Sequence, residues 1–205
     1  AGQGRFSDYP ALLTAMLHVK AAAAQVNVET GALDPAMGAA LQTAAQDLLA
    51  TPRPEAFPVH AVHGGGGISF NMNLNEVLAN LANRAGFGAA YGSYAPIHPN
   101  DHANLNHSTA DCLSTACHIA ARHAFAGLAA EVEGLAADLD RLGAEWAPLR
   151  KLARTCLQDA VDIGFAEYLG GVSATLRFLL DRARRDADAL REVSMGGTII
   201  GRAED

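Results

Sequence analysis

From Leu113 to Leu149, apolar residues recur at every third or fourth position, with no proline before Pro148. Leu113, Cys117, Ala120, Ala124, Leu128 and Val132 open the stripe, and Leu139, Leu142, Trp146 and Leu149 close it. Glu131, Glu133, Asp138, Asp140 and Arg141 fall mostly between them, as the wet face of an amphipathic helix requires. Gly127, Gly134 and Gly143 weaken such a helix locally without changing its period. A helix over 111–146 would run roughly 54 Å at about 1.5 Å per residue. A compact globule of this chain length has a radius of gyration of only about 17 Å. The spacing therefore predicts a rod in an elongated bundle.

A second rod is predicted after a short break. Val172, Leu176, Leu179, Ala183, Ala187, Leu190 and Val193 carry its stripe, "DRARRDAD" its polar face, and Gly196 and Gly197 its stop. Two such rods paired only with each other leave apolar stripes partly uncovered. Further helices are expected to cover them, from another chain or from a C-terminal half.

Before the rods, Ser7 as cap and Pro10 in the first turn open a helix to about Val28, ended by Gly31. Asp34 and Pro35 open another, to about Ala50. "TPRPEAFP" reads as a connector and "HAVHGGGGISF" as a loop. "NMNLNEVLANLANRAG" reads as a helix capped by asparagine and ending near Gly86. The expected class is all-α: a small helical N-terminal domain over 1–105, then the first long helices of an elongated bundle over 106–205.

Composition agrees and narrows the function. Half of the 205 residues are apolar and only 6% aromatic, with alanine and leucine dominant. A net charge of −7 with no basic run argues against nucleic acid as a partner. Cys112, Cys117 and Cys156 are odd in number and lack CxxC spacing, so neither a disulfide framework nor a zinc knuckle is expected. A reducing, cytoplasmic setting follows. No apolar run is read as long enough to span a membrane, and "AGQGRFSDYP" has no signal-peptide pattern. Cys112 and Cys117 are expected to pack as small core residues of the first rod. His118 and His123 read as packing or surface residues.

Three polar segments interrupt this background: "HGGGGISFNMNLNEVLAN" (63–80), "IHPNDHANLNHSTAD" (97–111) and "ARTCLQDA" (153–160). Each is read at an end of a helical run, where backbone N–H groups lack intrahelical partners and attract anions. Ser69, Ser108, Thr109, Thr155 and the many amides are uncharged donors, which suit a dicarboxylate better than a metal. Ser108 and Thr109 equally suit the N-terminal cap of the first rod. His98, His102 and His107 share a loop, and His60 and His63 lie near each other. None has carboxylate or cysteine partners at ligand spacing, so no metal and no cofactor is expected. "GGGG" lacks the following Lys-Ser/Thr and preceding strand of a phosphate cradle.

These segments resemble, in order, the first conserved blocks of the aspartase/fumarase superfamily of lyases. That family carries "GxGTS-NMNxNEV", "HPNDHVN-SQSSND" and "GRTHLQDA". Here they stand as "GGGGISFNMNLNEV", "HPNDHANLNHSTAD" and "ARTCLQDA". "GALDP" resembles the family's "GLLDP", and the terminal "GGTIIG" its "GGTAVG" turn. "SFNMN" leans toward the aspartate ammonia-lyase branch. The resemblance implies a homotetramer with shared active sites, and elimination of ammonia or water from a succinate-like acid to give an alkene. Carried over by position, Ser108 and Thr109 would hold one substrate carboxylate, and Thr155 would reach the same ligand from another subunit. His98, Asn100 and Asp101 match a peripheral dicarboxylate site. Such donors strengthen their hydrogen bonds as an aci-carboxylate forms.

The sequence also departs from the family. The glycine-loop threonine is Ile68, the asparagine closing the "SSN" trio is Ala110, and Cys156 stands where the third block has His or Gln. Cys156 is thus the candidate catalytic residue, orienting substrate or acting as a weak acid. Ile68 and Ala110 cannot donate. At about 1.5–3 kcal/mol per charged hydrogen bond, two lost anchors cost roughly two to four decades in affinity. The family's mobile serine loop and its lysine belong to a C-terminal half outside these residues, supplied by the rest of the protein or by a partner chain. This chain alone is not expected to turn over substrate. The alternative is a silent subunit that keeps the bundle surface for assembly.

Overall fold

The computed structural model describes residues 4–60 and 63–196. Among the described residues, five α-helices and two short strands follow in order: α1 (Pro10–Glu29), α2 (Pro35–Ala50), α3 (Ile68–Phe87), α4 (Thr109–Glu145), β1 (Arg150–Thr155), β2 (Gln158–Gly164) and α5 (Phe165–Ala189). The all-α class stands, with one hairpin as its exception. The chain divides into two compact units, Ala1–Ala120 with Glu192–Asp205, and Ala121–Arg191.

The first unit is built on α1, α2 and α3. Asp34 caps α2 as its sequence predicts, accepting from the Ala36 and Met37 amides at 2.8 and 3.2 Å. Ser7 does not cap α1; it sits in a 3₁₀ turn over Phe6–Asp8, and Tyr9 precedes the helix. That turn seats Phe6 in the core, stacked on Phe70 at 4.3 Å and edge-on to Phe57 at 5.6 Å. A Cβ on Gly38 would lie 2.2 Å from Val28 Cγ2, so this glycine sets the close approach of α1 and α2.

By length and composition α1 is apolar enough to cross a membrane, contrary to the reading that no run reaches that length. Part of its apolar surface is taken up by packing: Ala15, Met16, Leu17, Val19 and Ala24 are buried in the core, while Val26 stays exposed. Helix α3 starts three residues before the expected asparagine. Its N-terminal cap is Gly67 at φ +83, a left-handed conformation closed to most side chains, and a Cβ there would meet Leu113 Cδ2 at 1.9 Å. It ends at Phe87, one residue past the expected Gly86.

The loop over 97–107 is tied down by side-chain amides. Asn83, buried on α3, donates to the Ile97 carbonyl at 2.8 Å and accepts from the Ile97 amide at 2.9 Å, like one rung of a sheet. Asn27 on α1 donates to the Leu105 carbonyl at 3.0 Å and accepts from Asn106 at 2.9 Å. This answers where the loop's backbone polar groups go.

The first rod is one helix, within two residues of its predicted bounds. In the second unit its C-terminal part runs antiparallel to α5. Arg122 meets Asp188 at 3.3 Å, Arg184 pairs with Glu133, and Arg177 meets Asp140 at 2.6 Å. Between these pairs lies a thin seam of Ala136, Ser173, Leu180 and Ala187. Leu128, Leu135, Val172, Phe178 and Leu179 stay exposed, as two rods paired only with each other require.

The second rod begins at Phe165, where Glu167 accepts from the Gly164 amide at 3.1 Å, and ends at Ala189 rather than Val193. The "ARTCLQDA" segment does not lie at a helix end. It forms an antiparallel hairpin whose two turn residues, Cys156 and Leu157, both have positive φ (50 and 63). Arg150 to Asp162 and Arg154 to Asp159 bridge its strands. The "GGTIIG" turn lies outside the described residues except Gly196.

Candidate functional site

In the first unit, the start of α3, the loop over 100–108 and the start of α4 line an open cavity of about 760 Å³. Asn100, Ser108 and Thr109 line it together with Ile68, Asn71 and Ala110. The structure thus gathers three of the predicted donors and two of the three departures from the family pattern, Ile68 and Ala110. Ser69 does not line it; its hydroxyl packs over Gly64, where an added Cβ would approach it to 2.4 Å. His98 and Asp101 form a neighbouring turn. There the Asn100 and Asp101 amides both donate to His98 Nδ1 at 3.3 Å, and His102 Nδ1 accepts from the His98 amide at 2.8 Å. Thr155 and Cys156 lie exposed on the hairpin of the second unit.

Ser108 takes the cap position of α4. Asp111 Oδ1 accepts from its amide at 2.6 Å and from its hydroxyl at 2.8 Å, so that hydroxyl proton is committed to the helix start. Thr109 differs. Its Oγ1 accepts from Asn71 Nδ2 at 2.9 Å, which uses a lone pair and leaves the hydroxyl proton to donate. The Thr109 and Ala110 amides, in the first turn of α4, have no acceptor within the helix.

Beneath this wall lies a polar network absent from the sequence-level candidates. Asn104 Oδ1 accepts from Lys20 Nζ at 3.0 Å, Asn71 Nδ2 at 2.9 Å and Asn75 Nδ2 at 3.2 Å. Lys20 Nζ also lies 2.6 Å from His107 Nε2, while His107 Nδ1 is 2.8 Å from the Leu105 carbonyl. A carbonyl only accepts, so Nδ1 carries the proton and Nε2 receives the ammonium. Burial lowers Lys20 to about 8, against the opposing pull of Cys112 and Asp111. Burial and the adjacent ammonium lower His107 to about 4. At neutral pH a charged lysine thus rests on a neutral histidine. One signal was available in advance: Lys20 is the sole Lys or Arg in α1.

Burial raises the Cys112 thiol, which donates to Asn71 Oδ1 at 3.3 Å. Cys117, expected in the core, is exposed; it sits roughly 140° around the helix from Cys112 at 3.6 residues per turn. His118 contacts the Glu192 carbonyl at 3.1 Å.

An all-α chain with amide-clamped polar loops and an uncharged donor wall at a long helix's start belongs to the lyase family of aspartase/fumarase type; the family model described as lyase matches residues 5–204. The chain is 39% identical over 196 residues to a class II fumarate hydratase of Neisseria meningitidis, covering 93% of this chain and 41% of that protein. It is equally identical to an aspartate ammonia-lyase of Pseudomonas aeruginosa, covering 95% and 41%. A crystal structure of fumarate lyase:delta crystallin from Brucella melitensis superposes with a TM-score of 0.88 at 36% identity, covering 96% of this chain and 44% of that one. The chain spans about two fifths of the length of these relatives.

Proposed function

We propose that these residues form the carboxylate-binding part of a lyase that removes ammonia or water from a succinate-like acid, in a site completed by other subunits and by a C-terminal half. The observation that carries this reading is Thr109, which lines a cavity that also receives Asn100 and whose Oγ1 accepts from Asn71, leaving its hydroxyl proton to donate. Donors fixed before the ligand arrives stabilise a developing aci-carboxylate without reorganising. Ile68 and Ala110, which line the same cavity, favour a substrate larger or less polar than aspartate. Thr155, exposed at the hairpin's end, would donate to the ligand of another subunit, with Cys156 beside it as a weak acid or orienting group. The exposed residues Leu135, Phe178 and Leu179 suit a homotetrameric bundle.

Alkene absorbance with a panel of amino and hydroxy diacids, on the assembled protein, tests the reading. Thr155→Val should raise KM roughly 10- to 100-fold, the worth of one charged hydrogen bond, and leave the melting temperature unchanged, since the residue is exposed on a strand. Equal KM in both forms would remove Thr155 from the site. The second reading, a silent assembly subunit, is favoured by Ile68, Ala110 and the commitment of the Ser108 hydroxyl to Asp111. Turnover of no diacid by an intact assembly would establish it.

A further inference from the structure

We propose that Lys20 is a positioning residue of this cavity: through Asn104 and Asn71 its buried ammonium orients Thr109 as a donor and supplies the positive charge an acidic ligand needs there. The inference rests on the reading of the cavity as a carboxylate site and adds its source of charge.

The geometry is a relay of three hydrogen bonds. Lys20 Nζ donates to Asn104 Oδ1, Asn71 Nδ2 donates to the same oxygen, and Asn71's other amide proton goes to Thr109 Oγ1. Each link fixes the next. With its oxygen held by Lys20 and two asparagines, Asn104 cannot flip. Asn71, donating twice and accepting from Cys112, has one orientation, and Thr109, accepting from it, is left with its proton to donate. Lys20 is only 4% exposed, and its described hydrogen-bond partners, Asn104 and His107, are uncharged. An ammonium so placed costs folding free energy that a methionine of similar length would avoid, which points to a role in binding. A carboxylate at Thr109 would feel that charge through a medium of low dielectric. Of the titratable groups packed against the ammonium, burial holds His107 near 4 and pushes the Cys112 thiol upward, while Asp111 at the α4 start attracts it.

The test is succinate binding by calorimetry to the assembled protein, wild type and Lys20→Met, from below to above pH 8, with the Lys20 ε-carbon followed by NMR. Wild-type affinity should fall at least about tenfold as that signal titrates. Lys20→Met should bind about tenfold or more weakly at neutral pH, with the alkaline limb gone. A purely structural lysine would leave the limb unlinked to its own titration. Wild-type binding that stays flat while Lys20 titrates would overturn the inference, as would equal affinity of the variant at neutral pH. The wild-type comparison decides alone if the variant does not fold. Absence of succinate binding to the wild type at every pH would overturn the carboxylate reading as well; binding indifferent to Lys20 would overturn only this inference.

Discussion

Lys20 and His107 make stability depend on pH in opposite windows. The folded Lys20 value of about 8 lies below its ordinary 10.5, so between the two the unfolded chain binds more protons and stability rises with pH. Below 8 the cost of the buried charge is fully present, about 3 kcal/mol at ~1.4 kcal/mol per unit. His107, lowered from 6.5 to about 4, contributes stability above 6.5 that is lost as pH falls through 4. Urea denaturation should therefore show a rise on the alkaline side and a loss on the acid side. Lys20→Met should lack the rise and keep a smaller acid loss, because burial still opposes His107 protonation but the ammonium no longer does. Comparing the two proteins also separates Lys20 from Cys112, whose raised thiol pulls the other way. Identical alkaline limbs would mean that Lys20 is not held charged and buried. None of this was legible in advance, because the ammonium's partners lie 84 and 87 positions along the chain; a lone lysine in an apolar helix marks a question without naming the contacts.

At the scale of elements, what could be read was what repeats locally. The stripe from Leu113 to Leu149 gave α4 within two residues, and Asp34 with Pro35 gave the start of α2, because period and caps are encoded by neighbours. The hairpin escaped because a helical prior was extended over a segment too short to show a period. Its signal was charge complementarity about Cys156-Leu157, with Arg154 opposite Asp159 and Arg150 reaching diagonally to Asp162, which faces Leu152. Both turn residues take the left-handed conformation of a two-residue primed turn, which costs a non-glycine residue roughly 1–2 kcal/mol. Leu157 is 93% exposed, so removing its side chain loses no packing. Leu157→Gly should stabilise the protein by about 1 kcal/mol and raise its melting temperature roughly 2–4 °C. A lower melting temperature would show that Leu157 is covered in the assembly. That outcome would place the hairpin tip, and Cys156 with it, at a subunit contact.

For the whole molecule, the two units differ in how they bury apolar surface. The first closes a core of its own around Phe6, Phe57, Met16, Leu74 and Leu78. The second buries only a narrow seam and leaves Leu128 at 59%, Leu135 at 52% and Phe178 at 60% exposure, more apolar surface on one helix pair than a monomer tolerates cheaply. The sequence announced this imbalance because two amphipathic rods paired only with each other leave apolar stripes partly uncovered. It did not announce the occupant, since an apolar face carries no address. In the homotetramer proposed here the occupant is the same face of other copies. Phe178→Asp places a charge there. In an isolated chain an exposed substitution changes stability by no more than about 0.5 kcal/mol, whereas inside a bundle it buries an unpaired carboxylate. The variant should keep its helical circular dichroism and sediment at a lower mass than the wild type. Because the proposed site needs Thr155 from another copy, it should lose turnover together with assembly. Unchanged mass would take Phe178 out of the interface, and lower mass with full turnover would mean that each chain completes its own site.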